Sequence, residues 1–383
     1  MNKGFSSVLN ASRWFAALLV LIGHARHIVL VDFKDVQNKD LLAKGFYFLT
    51  GLGHEAVVVF FVVSGLLVGA LTLDKWQTRS APGMADYFIH RFSRIYIVLI
   101  PALFGGLAMD YIGTNHFDAA QLYSTSGQYH VVSGVIKDNI DALAVLGNLA
   151  MLEGILVNVL GSNGPLWSLA YEWWYYCLWA LAVGTIFYRG LGRWISATAL
   201  IVLMLAIPNE ILIWMAVWLL GVSVFYYGRS NLPKPHPIAG VALFLAALIA
   251  SPLSLRYSAD PPMFIAFTRD FGLGLAYSIA LVSCYRLEKP LWLNGLHAKL
   301  ASFSYSLYMV HFPLLILIVA VVEDKLGIGF VQQPSTKSYL YFAVIVVALY
   351  LYGFLFSLAT EKHTFKLVTL LRRVFFTRCS RLS

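Results

Sequence analysis

The stretch SRWFAALLVLIGHARHIVLV, residues 12–31, has the length and composition of a membrane-spanning helix but carries four basic side chains. A helix needs about 20 mostly apolar residues to cross a bilayer, and an ionisable side chain inside such a segment is costly unless it faces a cavity or a partner. Arg13, His24, Arg26 and His27 are therefore unexpected here. Their presence predicts a membrane helix that lines a polar site.

The whole chain has the composition of a membrane protein. Of its 383 residues, 59% are hydrophobic and 12% are charged, about half the charged share of an ordinary soluble domain. We therefore predict an all-α fold, a polytopic bundle of about ten transmembrane helices in one integral-membrane domain over residues 1–383. The apolar runs cover residues 13–31, 55–73, 92–112, 166–188, 192–208, 210–228, 237–252, 264–284, 300–322 and 338–360.

A further apolar run, near residues 142–160, contains Asn148, Glu153 and Asn158. Polar groups and irregular backbone cannot face lipid, so this run is predicted to be interfacial or re-entrant and to line a cavity. It falls within the long connection 113–165, which we expect to cover a site that faces outward.

The loops orient the predicted bundle, because cytoplasmic loops of membrane proteins are enriched in Lys and Arg. Alternate connections are basic, and the others are neutral or acidic. The basic ones are residues 74–91, 189–193, 229–236, 285–299 and the tail 361–383; the others are 32–54, 113–165, 209–210, 253–263 and 323–337. Ten spans therefore place both termini in the cytoplasm. This orientation also accounts for the net charge of +9, so a nucleic-acid partner is not required.

The cysteines do not indicate a metal site. Cys177, Cys284 and Cys379 are far apart and form no C-x-x-C or Cys/His spacing. Cys177 and Cys284 fall in apolar runs, where a small buried residue is the simplest interpretation.

Two of the unexpected residues share one face of the first helix. From Arg13 to His24 is eleven residues, which is roughly 20° from a whole number of turns, with a rise of about 16 Å. Arg13 is thus predicted at the cytoplasmic edge and His24 near mid-bilayer on the same face. The alternative interpretation is a cytoplasmic anchor for Arg13 and a hydrogen-bonded core histidine for His24.

The segment GPLWSLAYEWWYYCLWAL, residues 164–181, places Glu172 about two turns inside a predicted span. A carboxylate at that depth needs a cation or a hydrogen-bond donor, which favours a functional role. Its aromatic side chains, Trp167 and Tyr171 among them, form either an interfacial belt or a surface that stacks against sugar rings.

Two further segments carry polar groups in or beside spans. In FFVVSGLLVGA, residues 60–70, the small residues permit close helix packing, and Ser64 could bind a ligand. In HRFSRIYIVLIP, residues 90–101, Arg91 and Arg94 are neighbours on one helix face at the cytoplasmic boundary. That pair suits either phosphate recognition or anchoring to the inner leaflet.

His311 lies near the middle of a span in SYSLYMVHFPLL, residues 304–315, beside the helix-weakening Pro313. Free carbonyls next to a histidine are typical of a lined cavity. His24, Ser64, Glu172 and His311 come from four predicted helices and fall at a similar depth, so we predict that they share a polar chamber.

In this order along the chain, these segments resemble the membrane-bound acyltransferase family 3, whose members acylate and acetylate surface sugars. The resemblance extends from Arg13 to Glu361. The matching pieces are the Arg-x10-His pair Arg13 and His24, the FFVVSG run, Arg91 and Arg94 with Pro101, the segment from Gly164 to Glu172, and SYSLYMVH-x-P from Ser304 to Pro313. The family has about ten spanning helices, in keeping with the apolar runs.

The resemblance implies a multi-pass protein of the bacterial inner membrane with an acyl-CoA co-substrate, usually acetyl-CoA, and a carbohydrate hydroxyl as acceptor. It implies catalytic roles for Arg13 and His24, and substrate handling by Arg91 and Arg94. This chain departs from the family pattern in two places. Many members continue Glu172 as Glu-Gln-Phe, whereas this chain has Trp173-Trp174-Tyr175. Many end the last span with Glu-x-Pro, whereas this chain has Glu361-Lys362-His363. The acceptor therefore stays open among O-antigen of lipopolysaccharide, capsule, exopolysaccharide and periplasmic glucan. Larger relatives append a soluble esterase-like domain, which we do not expect here.

We expect direct acyl transfer across the membrane, with the CoA phosphates on the three arginines and His24 as general base on the acceptor hydroxyl. Glu172 would orient the imidazole or bind the sugar, with Trp167 and Tyr171 beside it. His311 and Ser64 are candidates for supporting or oxyanion-stabilising groups. No metal is expected, and the partners are membrane lipid, acyl-CoA and a carbohydrate, which could be lipid-linked.

Two alternatives remain open. One is a two-step route through acyl-His24; no spacing indicates a Ser or Cys acyl-enzyme. The other is a transporter or flippase for a lipid-linked saccharide, because buried His and Glu also serve proton-coupled carriers. We find no internal repeat to support the carrier, and acyl chemistry by the purified protein separates the two functions.

Overall fold

A computed structural model describes residues 2–78, 83–118, 121–125, 132, 134–254 and 262–379. Over these residues the chain is helical, with isolated bridges between Leu30 and Gln332 and between Glu153 and Val157 but no strand. Arg79 and Arg381, which contribute to the basic loops, and much of the 253–263 connection lie outside the described residues.

The bounds of the helices are given in chain order. They are α1 Lys3–Val29, α2 Leu41–Thr50, α3 Gly53–Ser64, a π-helical segment Gly65–Ala70, α4 Leu71–Gln77, α5 Met84–His116, α6 Ala142–Leu149, α7 Trp167–Phe187, α8 Leu191–Ala206, α9 Asn209–Arg229, α10 Pro237–Ser254, α11 Met263–Cys284, α12 Asn294–Ala301, α13 Ser304–Leu326, α14 Thr336–Ala359 and α15 Thr364–Cys379. Short 3₁₀ turns cover Phe33–Asp35, Ile136–Asn139, Gly164–Leu166 and Glu361–His363.

The predicted helical membrane bundle is confirmed. Each of the ten apolar runs coincides with a helix, and seven helices among the described residues are long and apolar enough to cross a membrane. The other three runs form α7, whose many Trp and Tyr side chains lower its mean hydropathy, and the shorter helices α8 and α10. The number of spans and the cytoplasmic placement of both termini stay predictions. Within the described part of the tail, Thr364–Cys379 form the helix α15.

The run near residues 142–160 does not form a spanning helix. Its first part is the eight-residue helix α6, which is capped by Asp141 through the backbone N–H of Ala144, and turns follow. The Asn148 side chain holds these turns, because it donates to the carbonyl of Asn158 and accepts from the N–H of Leu160. The interfacial or re-entrant placement of this segment stays a prediction.

The chain divides into two compact units, each assembled from separated segments. Unit 1 comprises residues 1–16, 54–88 and 171–301, and unit 2 comprises residues 17–53, 89–170 and 302–383. The single domain over residues 1–383 stays a prediction.

Unit 1 is built around the crossing of α3 and its π-helical continuation with α9. The backbones approach so closely that a Cβ on Gly65 would lie 1.8 Å from the carbonyl oxygen of Trp218, and one on Gly221 would lie 1.9 Å from that of Val62. The indole of Trp218 is fully buried against Gly69. The small residues of FFVVSGLLVGA therefore serve helix packing, as predicted.

A methyl group at this crossing should destabilise unit 1 strongly. We expect Gly65→Ala to lower the unfolding free energy in detergent by roughly 1–3 kcal/mol, because backbone atoms must separate to admit it. Gly272→Ala on α11 is the matched control, since nothing lies within 4 Å of the added Cβ. Equal melting temperatures for the two variants would contradict the close approach.

Unit 2 has its own core on α13 and α14. A Cβ on Gly353 of α14 would lie 2.7 Å from the side chain of Leu307 on α13, and the ring of Phe303 contacts Tyr350 and Phe354. Phe312 is almost fully buried. This packing fixes the rotation of α13 within unit 2 and so determines where the middle of that helix points.

Candidate active site

Two histidines from distant parts of the sequence meet in unit 2. Nδ1 of His24 on α1 lies 2.8 Å from Nε2 of His311 on α13. On its other side, Nδ1 of His311 lies 2.9 Å from the carbonyl oxygen of Tyr308 and 3.1 Å from that of Leu307. The two imidazoles thus form a short chain of hydrogen bonds that ends on the backbone.

The two rings meet edge to edge. Their planes differ by 9° and their centroids are 5.2 Å apart, which suits an N–H of one ring pointing at the lone pair of the other. The edge of Phe312 borders His24 at a centroid distance of 5.0 Å. His311 has no exposed surface, whereas His24 is part-exposed, so of the two residues only His24 retains any exposed surface.

The proline of α13 frees a carbonyl, and a loop side chain occupies it. Pro313 has no N–H, so the carbonyl of Met309 lacks its usual helical donor. Nδ2 of Asn163 donates to that oxygen at 3.0 Å, and the hydroxyls of Ser168 and Tyr308 lie 2.6 Å apart nearby. The sequence predicted free carbonyls beside His311; at Met309 the carbonyl is instead bound by the loop that precedes α7.

The same loop is anchored to α5. The buried carboxyl group of Asp110 accepts from the backbone N–H of Ser162 at 2.8 Å and from its hydroxyl at 2.6 Å. Gly161 has a φ of 56°, and a Cβ there would strike Asp110. Glycine is thus required, and the loop is fixed at one end to α5 and at the other to α13 beside the histidine pair.

A second polar group lies in unit 1. The hydroxyl of Tyr176 donates to Oε1 of Glu172 at 2.5 Å and lies 3.2 Å from the hydroxyl of Ser64. The indole N–H of Trp218 donates to that same Ser64 oxygen at 3.1 Å. The donor that Glu172 needs at its depth is therefore a tyrosine one helical turn away on α7.

The predicted cations occupy different surroundings. Arg94, in unit 2, has a side chain that is 41% exposed and lies 3.7 Å from Oε1 of Glu361, whose other oxygen accepts from the N–H and hydroxyl of Ser306. Arg91 precedes it by three residues on α5 and is half-buried. Arg13 is half-buried on the part of α1 that belongs to unit 1.

Arg26 and His27, the other basic residues of the segment 12–31, lie together at the end of α1. The guanidinium of Arg26 is buried, lies 2.7 Å from Nε2 of His27 and 3.6 Å from Asp32, and sits over the ring of Tyr47. Neighbours on unit 2 thus stabilise a charge that bare lipid would not accept.

The two predicted aromatic residues of α7 are separated by the division into units. Trp167 is exposed in unit 2. Tyr171, in unit 1, donates from its hydroxyl to Glu210 at 3.4 Å, and its ring plane lies within 3° of that of Phe61. The structure therefore leaves both the belt and the sugar-stacking interpretations open.

Of the residues predicted to share one chamber, the structure joins His24 to His311 and, through Tyr176, Ser64 to Glu172. The first pair belongs to unit 2 and the second to unit 1, so the common chamber stays a prediction. Sequence reasoning missed the partners Tyr176, Trp218, Asn163, Asp110 and Tyr308. Two signals were present: Tyr176 lies one helical turn after Glu172, and Pro313 leaves a carbonyl in need of a donor. Among the described residues, no group of three His, Cys, Asp or Glu side chains is arranged to hold a metal ion.

Glu153 is a buried carboxyl group in the turns that follow α6. Neither of its oxygens hydrogen-bonds to another described residue, and only 1% of the residue is exposed. Burial raises the pKa of Glu153 from an ordinary 4.5 to about 8. The folded chain therefore holds a proton on this group at neutral pH, where the unfolded chain does not.

Stability should consequently fall as pH rises from about 4.5 to about 8. Over that interval the folded state binds more protons than the unfolded state, so the free energy of unfolding decreases, by at most about 1.4 kcal/mol per pH unit. Glu153→Gln should remove this decline in melting temperature measured in detergent between pH 5 and 9. The exposed Glu288→Gln is the control, and a Glu153→Gln profile that parallels wild type would contradict the assignment.

Comparison with known proteins supports one family. A family model described as an acyltransferase domain, of acyltransferase family 3, matches residues 7–362, nearly the whole chain. No curated protein and no solved structure matches. The match includes α1 with Arg13 and His24, the pair Arg91 and Arg94, and α13 with His311.

Proposed function

The chain belongs to acyltransferase family 3, and from that premise we propose that it transfers an acyl group, in the simplest case acetyl, from cytoplasmic acyl-CoA to a hydroxyl of a carbohydrate outside the cytoplasm. The chain is a multi-pass membrane protein and an enzyme that transfers acyl groups. The observation that carries the finer proposal is the part-exposed His24, held at 2.8 Å by the buried His311.

In the proposed reaction His24 acts as general base. It takes the proton of the acceptor hydroxyl while the oxygen forms a bond to the thioester carbonyl carbon. The carbon–sulfur bond then breaks, and CoA leaves as a thiolate that takes up the proton held by His24, which returns the imidazole to its neutral form. An imidazole suits this step because its ordinary pKa lies near neutrality, and such help contributes about 10²–10⁴-fold.

We assign the CoA phosphates to the arginine pair of α5. Arg91 and Arg94 are three residues apart, and the Arg94 side chain is 41% exposed although Glu361 lies 3.7 Å from it. Guanidinium groups bind phosphate oxygens through paired hydrogen bonds. Arg13 precedes His24 by eleven residues on α1, and we assign to it the catalytic role that the family resemblance implies.

We assign the carbohydrate to groups of α7. The Glu172 carboxylate, held by Tyr176, is an acceptor for sugar hydroxyls. Trp167 and Tyr171 offer aromatic faces for the apolar side of a sugar ring. We take the membrane to be the inner membrane of a bacterium. The carbohydrate acceptor then reaches the enzyme from the side that faces away from the cytoplasm.

The test is acyl transfer by the purified protein in proteoliposomes. Acetyl-CoA labelled in the acetyl group is supplied on one side and candidate glycans on the other. Release of CoA thiol that depends on the glycan, with the label recovered as a base-labile ester, is the expected result. Saccharide movement without thioester cleavage would overturn the proposal in favour of a carrier.

A further inference from the structure

The hydrogen bonds around His311 determine which of its nitrogens carries the proton. Nδ1 faces the backbone oxygens of Leu307 and Tyr308, at 3.1 and 2.9 Å. A carbonyl oxygen only accepts hydrogen bonds, so Nδ1 of His311 must be the N–H. In the neutral ring Nε2 then keeps its lone pair.

The same reasoning extends to His24. Its Nδ1 lies 2.8 Å from Nε2 of His311, and one of these two atoms must donate. Because Nε2 of His311 holds a lone pair, Nδ1 of His24 is the donor, and Nε2 of His24 is left without a proton. Within the described part of the chain, no carboxylate hydrogen-bonds to either ring, so no competing acceptor alters this order.

We propose that His311 is a positioning residue that fixes His24 in the tautomer whose Nε2 lone pair faces the reactant. This inference rests on the proposed role of His24 as base and adds the residue that selects its tautomer. A base needs a nitrogen with a free lone pair, and the buried His311, bound on the Nδ1 side of the ring, leaves that lone pair on Nε2 without introducing a negative charge. A carboxylate in the same place would hold the ring equally well but would bring an unpaired charge into a buried site.

The neutral partner also defines what happens after proton transfer. Once Nε2 of His24 has taken the proton, the Nδ1–H of the imidazolium still points at the lone pair of His311. That hydrogen bond then has a charged donor and is stronger than in the resting state. His311 thus stabilises the protonated ring while the carbonyls of Leu307 and Tyr308 hold its own orientation.

The loop before α7 supports the backbone to which His311 is hydrogen-bonded. The carbonyls that orient His311 lie one turn before it on α13, next to the carbonyl of Met309, which lacks its usual helical donor because Pro313 has no N–H. Asn163 supplies the missing donor at Met309, and Ser168 contacts the Tyr308 hydroxyl. The backbone to which His311 is bound is therefore kept helical in spite of the proline.

The primary test is nitrogen NMR of the wild-type protein in detergent with ¹⁵N-labelled imidazole rings. The chain has ten histidines, and the His24 and His311 signals are assigned by their loss in His24→Asn and His311→Gln. We expect both rings to carry the proton on Nδ1 alone. A His24 ring with its proton on Nε2, or with both tautomers equally populated, overturns the proposal.

Two variants separate tautomer control from simple packing. In His311→Gln the amide can still donate to the carbonyls and accept from His24, whereas in His311→Leu it can do neither. We expect Gln to lose up to about tenfold in kcat and Leu about 10²-fold or more, both with an unchanged KM for acyl-CoA. Equal losses would overturn the positioning role. If both variants fail to fold, the wild-type spectrum still decides.

The two proposals fail differently. Full transfer by a His24 variant would remove His24 as base but would leave the NMR tautomer result intact. A mixed tautomer in an active wild-type enzyme would remove the role of His311 and leave the acyl transfer in place.

Discussion

His24→Ala should lower the rate of acyl transfer by about 10²–10⁴-fold while the protein stays folded. The alanine cannot take the proton of the acceptor hydroxyl, and the buried His311 cannot replace it because it has no exposed surface. The measurement is the transfer of labelled acetyl groups to glycan by the variant in proteoliposomes. Acyl-CoA binding should be retained, because we assign the CoA phosphates to arginines and not to His24.

Two comparisons make this result specific. His236→Ala changes an exposed loop histidine of unit 1 and should leave transfer unchanged. A melting temperature of His24→Ala close to wild type excludes unfolding as the cause. Retention of transfer within a few-fold would remove His24 from the mechanism.

Asp110→Ala should cost the most stability of the substitutions considered for unit 2. The side chain is buried, and its two oxygens accept from the N–H and the hydroxyl of Ser162. Removing the acceptor leaves two buried donors unsatisfied, at a cost of roughly 2–5 kcal/mol. Activity should fall as well, because the loop that holds the carbonyl of Met309 loses its anchor on α5.

The matched control is Asp141→Ala in the same unit. Asp141 is exposed and caps α6 through a single backbone N–H, that of Ala144. Loss of such a cap costs about 1 kcal/mol. Unfolding curves in detergent compare the two, and equal midpoints would contradict an anchoring role for Asp110.

Several features of the site could be predicted from sequence because they depend on local properties. Hydropathy and length identified the helices, and a polar residue deep in an apolar run stood out whichever way the helix turned. His24, Ser64, Glu172 and His311 were found in this way. So was the packing role of Gly65, because small residues in a membrane helix indicate close approach.

The partners of these residues could not be predicted. Helical spacing shows which residues of one helix share a face, but not which face of another helix they meet. Tyr176 was within one turn of Glu172 and could have been suspected, whereas Trp218, which binds Ser64 from α9, gave no signal. Asn163 lies in a loop that no periodicity describes.

The sequence by itself therefore determined the class of fold, the family and the buried polar residues, because burial energy and motif order can be read along one chain. Tertiary structure decided that His24 meets His311, 287 residues away, and through which nitrogens. That contact depends on the rotation of α13, which its packing against α14 sets, and on a carbonyl pair aimed at the ring. The rotation of a helix and the direction of its side chains toward a neighbour depend on how helices pack, so they cannot be read from any single segment.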